Sequence, residues 1–186
     1  MQNKNIYFET IRCSEGKAYF LQYHQNRIRR TIGYSFDLAK ILQPPSHTLL
    51  RCKVIYDKYN ILDISYTPYE KKEVVKFEFV YDDNISYDKK LLDRTQIDNL
   101  KTTNNEIIIV KNGYITDTSI ANIAIYENNR WITPKNPLLL GTTRKRYIDS
   151  GLLVLDNITP QRVKKANKIA LMNAMVDFYI LDYFNL

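Results

Sequence analysis

The 186-residue sequence has few cysteines, histidines and glycines and no long apolar run. Its two cysteines and two histidines are not at zinc-ligand spacing, so we expect no metal site. A chain of this length can fold without disulfides, and so few cysteines favour a reducing compartment. No stretch of about 18 apolar residues exists to cross a membrane. The N-terminus MQNKNIYFET lacks the apolar core of a signal peptide, and we expect a cytoplasmic protein.

The five glycines form neither a P-loop nor a GxGxxG motif, so a phosphate would have to be bound in another way. The net charge of +7 comes from 27 basic and 20 acidic residues. Because the two signs are interleaved, as in DNISYDKKLLDRTQIDNLK, we expect no nucleic-acid partner, although a salt-dependent nucleic-acid binder stays an alternative. Two short basic clusters, Arg27–Arg30 and Arg144–Arg146, suit an anionic small ligand equally well.

Hydrophobic periodicity predicts an α+β chain in two lobes, an N-terminal lobe of residues 1–83 and a C-terminal lobe of residues 84–186. The polar segment Tyr81–Lys90 is the predicted linker. Strands are predicted at Ile6–Arg12, Ala18–Leu21, Leu49–Tyr56, Ile61–Thr67, Glu73–Tyr81, Ile107–Val110, Ala121–Tyr126, Trp131–Thr133, Lys168–Met172 and Asp177–Leu181. Helices are predicted at Tyr23–Gly33, Asp37–Leu42, Leu91–Leu100 and Arg144–Ser150, with a further helix beginning at Thr159–Pro160. The three strands between residues 49 and 81 are expected to form a meander. Hairpin turns are predicted at Asn112–Gly113 and at Glu127–Arg130.

One candidate phosphate site follows the apolar run Leu138–Leu140. Gly141, Thr142 and Thr143 precede a predicted helix, whose first N–H groups and partial positive charge attract anions. Ordinary helix capping by threonine explains the same residues, so this motif alone leaves both interpretations open.

Other polar motifs follow one another in a definite order. HQNR places His24 and Arg27 one helical turn apart, KKLLDR places Lys90 four residues before Arg94, and TDTSIAN contains Asp117. Together with FETIR, ITP, GTTR and LMNAM, these motifs resemble the fold-type IV pyridoxal-phosphate (PLP) enzymes, or class IV aminotransferases. That family includes D-amino-acid and branched-chain aminotransferases and aminodeoxychorismate lyase. The resemblance runs from about Tyr7 to Met175 and implies a D-amino-acid aminotransferase-like architecture.

The resemblance implies a role for several residues. Lys90 matches the lysine that forms the Schiff base with PLP, and its spacing to Arg94 distinguishes it from Lys89. Arg27 matches the arginine that contacts the cofactor phosphate, although by itself it suits a surface helix equally well. The remaining matches are Thr142 and Thr143 in the phosphate-binding turn and Asn173 near the phosphate.

Asp117 matches the acid that pairs with the pyridine nitrogen, where the family normally has glutamate. The shorter aspartate can do this after a small shift, or it is only a turn residue after Gly113. The chain also lacks the family's Gly-Asp-Gly stretch before FETIR and is shorter than usual members. The substrate side of the pocket is then either open or completed by a second subunit. Because the family commonly dimerises with active sites near the interface, the resemblance implies a homodimer.

Among the activities that the resemblance implies, KLLDR and LMNAM favour an aminodeoxychorismate lyase, which eliminates pyruvate and leaves 4-aminobenzoate. The alternatives are a D- or branched-chain amino-acid aminotransferase, and a catalytically weak PLP-binding or interaction protein. All but the last imply an amine or amino-acid substrate, with Lys90 as general base and acid.

Overall fold

The computed structural model describes residues 5–71 and 73–186. Residues 5–71 and 89–93 pack together as a first unit, and residues 73–88 and 94–186 pack as a second. This division does not coincide with the predicted boundary between residues 83 and 84. Residues 73–83 belong to the second unit, and the short segment 89–93, which carries Lys90, belongs to the first. The absence of a signal peptide was predicted partly from residues 1–4, which lie outside the described residues.

The first unit contains an antiparallel four-stranded sheet with two helices. Its strand order is β2-β1-β3-β4. The bounds are β1 Tyr7–Ser14, β2 Lys17–Ala18, β3 Leu50–Tyr56, β4 Ile61–Pro68, α1 Leu21–Ile32 and α2 Leu38–Ile41. Alternate residues of β1 and β3 face a core that also takes Ile28 of α1 and Leu38 of α2. The predicted helices and strands of this unit are confirmed except the strand Ala18–Leu21, because β2 covers Lys17–Ala18 and Leu21 already begins α1.

The second unit is built on one mixed sheet with short helices. Strands run in the order β10-β9-β8-β7-β6-β5, and β11 joins β8 to β12. The bounds are β5 Phe77–Tyr81, β6 Glu106–Lys111, β7 Tyr114–Thr118, β8 Asn122–Glu127, β9 Arg130–Pro134, β10 Leu153–Asp156, β11 Lys168–Asn173, β12 Asp177–Leu181, α3 Thr95–Asp98, α4 Thr142–Asp149 and α5 Pro160–Lys165. Pairs β5–β6 and β9–β10 are parallel, and the others are antiparallel.

The hairpin turns of the second unit were predicted from short polar sequences. Asn112 and Gly113, between β6 and β7, both have positive φ, at 51° and 79°. Asn128 and Asn129 have φ of 51° and 60° between β8 and β9. Positive φ at both central residues defines the turn that matches the strand twist, and asparagine and glycine adopt it at little cost. The α+β class and both hairpins are therefore confirmed.

Two predictions about secondary structure are wrong. The expected helix Leu91–Leu100 is reduced to α3, because Leu91 instead forms an antiparallel bridge with Tyr7 and the Leu92 N–H donates to the Ile6 carbonyl, 2.8 Å away. The expected meander also breaks, since β5 pairs in parallel with β6 rather than with β4. Strand β10 was not predicted. No helix among the described residues is long and apolar enough to span a membrane.

Candidate active site

A buried carboxylate lies at the centre of the first unit. The alternation of β1 places Glu9 on the same face as Tyr7 and Ile11, so its side chain points into the core and is fully buried. Helix α1 brings His24 and Arg27, three residues apart and both buried, to this carboxylate. Arg27 Nε donates to Glu9 Oε1 at 2.8 Å, and its Nη2 donates to Oε2. His24 Nδ1 lies 2.6 Å from Oε2.

The electrostatics of this group favour an ionised Glu9 and a neutral His24. Burial alone would raise the pKa of Glu9, but the Arg27 charge and the hydrogen bonds from His24 and Arg27 outweigh it and lower the pKa to about 2. Burial lowers the pKa of His24 despite the hydrogen bond to Glu9, and the charges of Arg27 and Lys90 add to that effect. The neutral imidazole therefore donates its Nδ1 proton to Glu9.

Lys90 lies beside the start of β1. Its carbonyl accepts a 3.0 Å hydrogen bond from the Phe8 N–H, and the next residue, Leu91, packs against the core. Lys90 therefore projects to the opposite face of the sheet, where its Nζ lies 4.4 Å from the centroid of the Phe8 ring. The face of an aromatic ring attracts an ammonium group. Lys90 is half-buried at this position.

A second buried carboxylate, Asp117 on β7, lies in the second unit. Its Oδ1 accepts from Asn122 Nδ2 at 2.6 Å, and its Oδ2 accepts from the Leu139 N–H at 2.8 Å. Burial raises the pKa of Asp117 to about 7, although these hydrogen bonds and the charge of Arg144 oppose the rise. The pKa of the buried Asp117 therefore lies near neutral pH. The residue belongs to β7 and is not simply part of the turn that follows Gly113.

The loop from β9 to α4 passes very close to this acid. Asn122 also donates to the Leu139 carbonyl at 2.9 Å, so its carboxamide lies directly against Gly141. A Cβ atom at residue 141 would be only 1.8 Å from Asn122 Oδ1. Glycine is required here by this close approach and not by an unusual φ, which is −67°.

Helix α4 begins next to this close contact. Gly141 is its N-cap, no side chain caps the first turn, and Thr142 and Thr143 are both buried. The guanidinium of Arg144 is buried as well. It connects α4 to the end of β9, since it donates to Thr133 Oγ1 at 3.2 Å and to the Pro134 carbonyl at 2.6 Å. The backbone N–H groups at this end of α4 provide the kind of donor that binds phosphate.

Asn173 holds two turns together. Its Oδ1 accepts from the N–H groups of Met175 at 2.9 Å and Val176 at 3.0 Å, which shapes the β11–β12 turn. Its Nδ2 donates to the Ile120 carbonyl in the β7–β8 turn at 3.2 Å. The contacts of this side chain are therefore those of a structural residue, and a cofactor contact at Asn173 stays a prediction.

The predicted site residues thus fall into two groups. Arg27 and Lys90 lie in the first unit, whereas Asp117, Thr142, Thr143 and Asn173 lie in the second. Sequence analysis missed Glu9 and the inward-facing Arg144. The signal for Glu9 was available, because an acid on the apolar face of an alternating strand needs a buried partner. Within residues 5–71 and 73–186, no group of three or more His, Cys, Asp or Glu side chains could hold a metal ion.

Comparison with known proteins identifies the family. The model of the family described as amino-transferase class IV matches residues 76–180. The chain belongs to the class IV aminotransferases. This membership confirms the fold-type IV architecture and the resemblance noted in the sequence. The resemblance was inferred from motifs that lie in both units.

Relatives of this class IV aminotransferase have nearly the same length. A candidate 4-amino-4-deoxychorismate lyase from Haemophilus somnus 129pt has 33% identity and a TM-score of 0.84, over 94% of this chain and 98% of that one. An uncharacterized protein of Haemophilus influenzae is 33% identical over 182 residues, 90% of this chain and 96% of its own. The shorter length is therefore shared with relatives.

A more distant neighbour contains the cofactor. A hypothetical aminotransferase from Mycobacterium tuberculosis, solved with α-ketoglutarate and pyridoxamine phosphate (PMP) bound, has a TM-score of 0.80 and 14% identity, over 98% of this chain and 82% of that one. At this identity the likeness concerns the fold alone. A protein that binds a pyridoxal-type cofactor is therefore among the structural neighbours of this chain.

Proposed function

We propose that this chain is a PLP-dependent enzyme of the lyase or aminotransferase kind, with Lys90 as its reacting amine. The observation that carries the proposal is the position of Lys90. The 3.0 Å backbone hydrogen bond to Phe8 and the bridge between Leu91 and Tyr7 fix the segment against β1, and the ammonium group lies over the Phe8 ring. Lys89, its neighbour in sequence, has no such ring contact among those described for it.

The residues of the second unit suit the cofactor. A buried carboxyl with a pKa of about 7 can hold a proton opposite a pyridine nitrogen, which is the role we propose for Asp117. The N–H groups and hydroxyls of Thr142 and Thr143 suit a phosphate, because no side chain caps this end of α4. We propose that Asn173 and the β11–β12 turn that it shapes lie next to the same phosphate.

In the first unit, Lys90 would react with the substrate, and Arg27 would bind the negatively charged phosphate of the cofactor. PLP, when bound, supplies an electron sink. Lys90 Nζ, as the neutral amine, would take a proton from the substrate carbon and return one after bond cleavage. Arg27 is proposed as a phosphate contact whose guanidinium is oriented by Glu9, because the 2.8 Å bond from Nε restricts its rotation.

We favour the lyase reaction, in which aminodeoxychorismate loses pyruvate and leaves 4-aminobenzoate. Its support is the KLLDR motif and the relative at 33% identity that is a candidate for this activity. The aminotransferase is the second candidate, supported by the match of residues 76–180 to the family described as amino-transferase class IV.

The first experiment tests the cofactor lysine. The protein is purified with PLP, its visible absorption is recorded, and the borohydride-reduced protein is mapped by peptide mass spectrometry. We expect a yellow protein with the cofactor attached at Lys90. The Lys90→Gln variant should lose both the colour and the adduct, and Lys89→Gln should keep them. An adduct at Lys89, or a colourless wild type, would overturn the proposal and favour an interaction protein.

The second experiment separates the two reactions. Formation of 4-aminobenzoate and pyruvate from aminodeoxychorismate is measured without a keto acid. Conversion of the yellow form to the PMP form by amino-acid donors is measured in parallel. If only the first assay gives product, the result supports the lyase. If amino-acid donors convert the yellow form to the PMP form, and turnover requires α-ketoglutarate, the result supports the aminotransferase.

We further propose that the enzyme acts as a homodimer in the cytoplasm. Leu152, Val154 and Leu155 on and beside the edge strand β10 are exposed, and a second copy could cover them. Light scattering coupled to gel filtration tests the dimer, for which we expect twice the chain mass of 22.0 kDa. A mass equal to one chain would remove this part of the proposal.

A further inference from the structure

The first residue of β12, Asp177, has an unusual backbone conformation. Its φ is 59°, in the left-handed region that aspartate and asparagine adopt more readily than most other side chains. Asp177 pairs with Asn173 across a loop of three residues, 174–176. Because Asn173 Oδ1 accepts from the N–H groups of Met175 and Val176, this loop has little freedom to change its shape. Asp177 is therefore fixed directly beside the turn that Asn173 shapes.

The carboxylate of Asp177 binds two neighbouring side chains of α4. Its Oδ1 accepts a hydrogen bond from the Tyr147 hydroxyl at 2.9 Å and forms an ion pair with Arg146 Nη2. The Arg146 guanidinium carbon lies 4.5 Å from the centroid of the Tyr147 ring. The same ring packs against Phe178, with centroids 4.8 Å apart. Charge, a hydrogen bond and ring packing therefore hold α4 against the start of β12.

Arg146 and Tyr147 lie on the face of α4 that carries the candidate phosphate residues. Arg146 follows Thr142 by four residues, and Tyr147 follows Thr143 by four, so each pair lies one above the other on the helix. Because α4 has only eight residues, a contact that fixes its second turn also fixes the direction of its first turn. The Asp177 carboxylate is therefore placed to set where Thr142 and Thr143 point.

We propose that Asp177 is a positioning residue for the cofactor phosphate, which holds the first turn of α4 at a fixed distance from the β11–β12 turn. The inference rests on the proposed function, in which both elements lie next to the same phosphate. Donors from two elements bind one anion well only when they converge on it, since hydrogen bonds weaken steeply with distance and angle. Asp177 has the same sign of charge as phosphate, so it acts through Arg146 and Tyr147 and not by direct contact.

The test compares three probes on the full chain after PLP has been removed by dialysis. They are inorganic phosphate, PLP, and pyridoxal, which lacks the phosphate group; calorimetry and visible absorption give the dissociation constants. Asp177→Asn keeps a side chain that tolerates the positive φ and removes the charge. We expect it to weaken phosphate and PLP about fivefold and to leave pyridoxal within about twofold. Asp149→Asn, which breaks the ion pair with Lys145 inside the same helix, should change none of the three.

Variants of α4 test whether Asp177 acts through the helix. Arg146→Gln should weaken PLP by about the same factor as Asp177→Asn, and Arg146→Lys should retain more of the affinity because it keeps the charge. Adding Asp177→Asn to Arg146→Gln should cause little further loss, since the two residues share one contact. Tyr147→Phe removes only the hydrogen bond and should weaken PLP about two- to threefold.

Two outcomes would overturn the inference. Equal weakening of PLP and pyridoxal by Asp177→Asn would show a general structural role, and unchanged or tighter phosphate binding would show that the carboxylate does not position the donors. Failure of the proposed function gives a different result, namely a colourless wild type without a Lys90 adduct. The phosphate titration needs no lysine, so it tests Asp177 in that case as well. Urea denaturation of each variant checks that folded proteins are compared.

Discussion

Glu9 and Asp117 are both buried carboxyl groups, yet their pKa values are shifted in opposite directions. Glu9 in the first unit has a pKa of about 2, because the Arg27 charge and two donor side chains outweigh burial. Asp117 in the second unit has a pKa of about 7, because burial raises it and its hydrogen-bond donors, Asn122 and the Leu139 N–H, are neutral and offset only part of the rise. Burial is therefore not enough to predict the charge of a buried acid; the charge of its hydrogen-bond donors decides.

The contrast suggests different duties for the two acids. An ionised Glu9 between Arg27 and His24 is suited to hold those side chains in place. An acid near neutrality, such as Asp117, is suited to share a proton with a group that binds next to it. Five predictions test the surroundings of these two acids, in order of decreasing effect.

The largest effect is expected for Glu9→Gln. It removes the charge that compensates Arg27 in the core, and breaking a buried ion pair from one side costs about 3–5 kcal/mol of unfolding free energy. Urea denaturation at pH 7 measures the loss. Glu15→Gln, at an exposed turn, should cost less than about 0.5 kcal/mol. Adding Arg27→Met to Glu9→Gln should recover part of the stability, and a Glu9→Gln protein as stable as the wild type would contradict the role of the pair.

Asp117 should make the cofactor-free protein less stable as pH rises. Its folded pKa of about 7 lies above the usual aspartate value of 3.8, so the folded state binds the proton more tightly than the unfolded state. Stability is therefore lost between about pH 4 and 7, by up to about 4 kcal/mol. Urea denaturation across this range should show the slope in the wild type and in Asp63→Asn, and a flatter profile in Asp117→Asn. Equal slopes in Asp117→Asn and the wild type would reject the raised pKa.

Glu9 has the opposite sign in the same titration. Because its folded pKa of about 2 lies below the usual glutamate value of 4.5, its contribution is present above about pH 4.5 and is lost as pH falls toward 2. The acid limb of the stability profile should therefore weaken in Glu9→Gln, whereas the limb between pH 4 and 7 should be retained.

A smaller effect is expected for Gly141→Ala. The added Cβ, 1.8 Å from Asn122 Oδ1, must displace the carboxamide and break its bonds to Asp117 and Leu139, at a cost of about 2–3 kcal/mol. Thermal and urea denaturation measure it. In an Asn122→Ala background the same alanine should cost little, because the obstructing atoms are gone. An equal cost in both backgrounds would show that Asn122 is not the obstacle.

The smallest effect concerns Lys90 and His24. Since the Lys90 charge contributes to lowering the pKa of His24, Lys90→Gln should raise it slightly. The His24 ring proton shifts in an NMR titration report the change. Lys89→Gln should leave the titration as it is in the wild type. A His24 titration insensitive to Lys90→Gln would place the Lys90 charge farther from the Glu9 group than the structure does.

Most of the fold followed from local sequence, and the exceptions share a cause. Alternation defined β1 and β3, and Asn112–Gly113 defined a hairpin, because both are properties of neighbouring residues. The helix predicted for Leu91–Leu100 failed because Leu91 pairs with Tyr7, which is distant in sequence. The parallel pairing of β5 with β6 could not be predicted either, since the pairing of distant strands is set by tertiary packing.

Motif order led to the family and to the candidate lysine, but it did not give the surroundings of the site residues. Asn173 stays a predicted neighbour of a phosphate, and only the structure shows that its carboxamide shapes the turn before β12. Arg144 was taken as part of a basic cluster, yet its buried guanidinium braces the loop before α4. A motif specifies residue types at a spacing, whereas hydrogen-bond partners depend on which strands lie side by side.

The α+β class, the hairpins, the family and the candidate site residues could be inferred from the sequence, because periodicity, turn chemistry and motif order are properties of neighbouring residues. Tertiary packing sets the charge of the two acids, since Glu9 is ionised among charged donors whereas burial raises the pKa of Asp117 among neutral ones. Packing also brings Asn122 so close to Gly141 that residue 141 must lack a side chain. These properties depend on distances between residues far apart in the chain, and electrostatic and steric energies are functions of those distances.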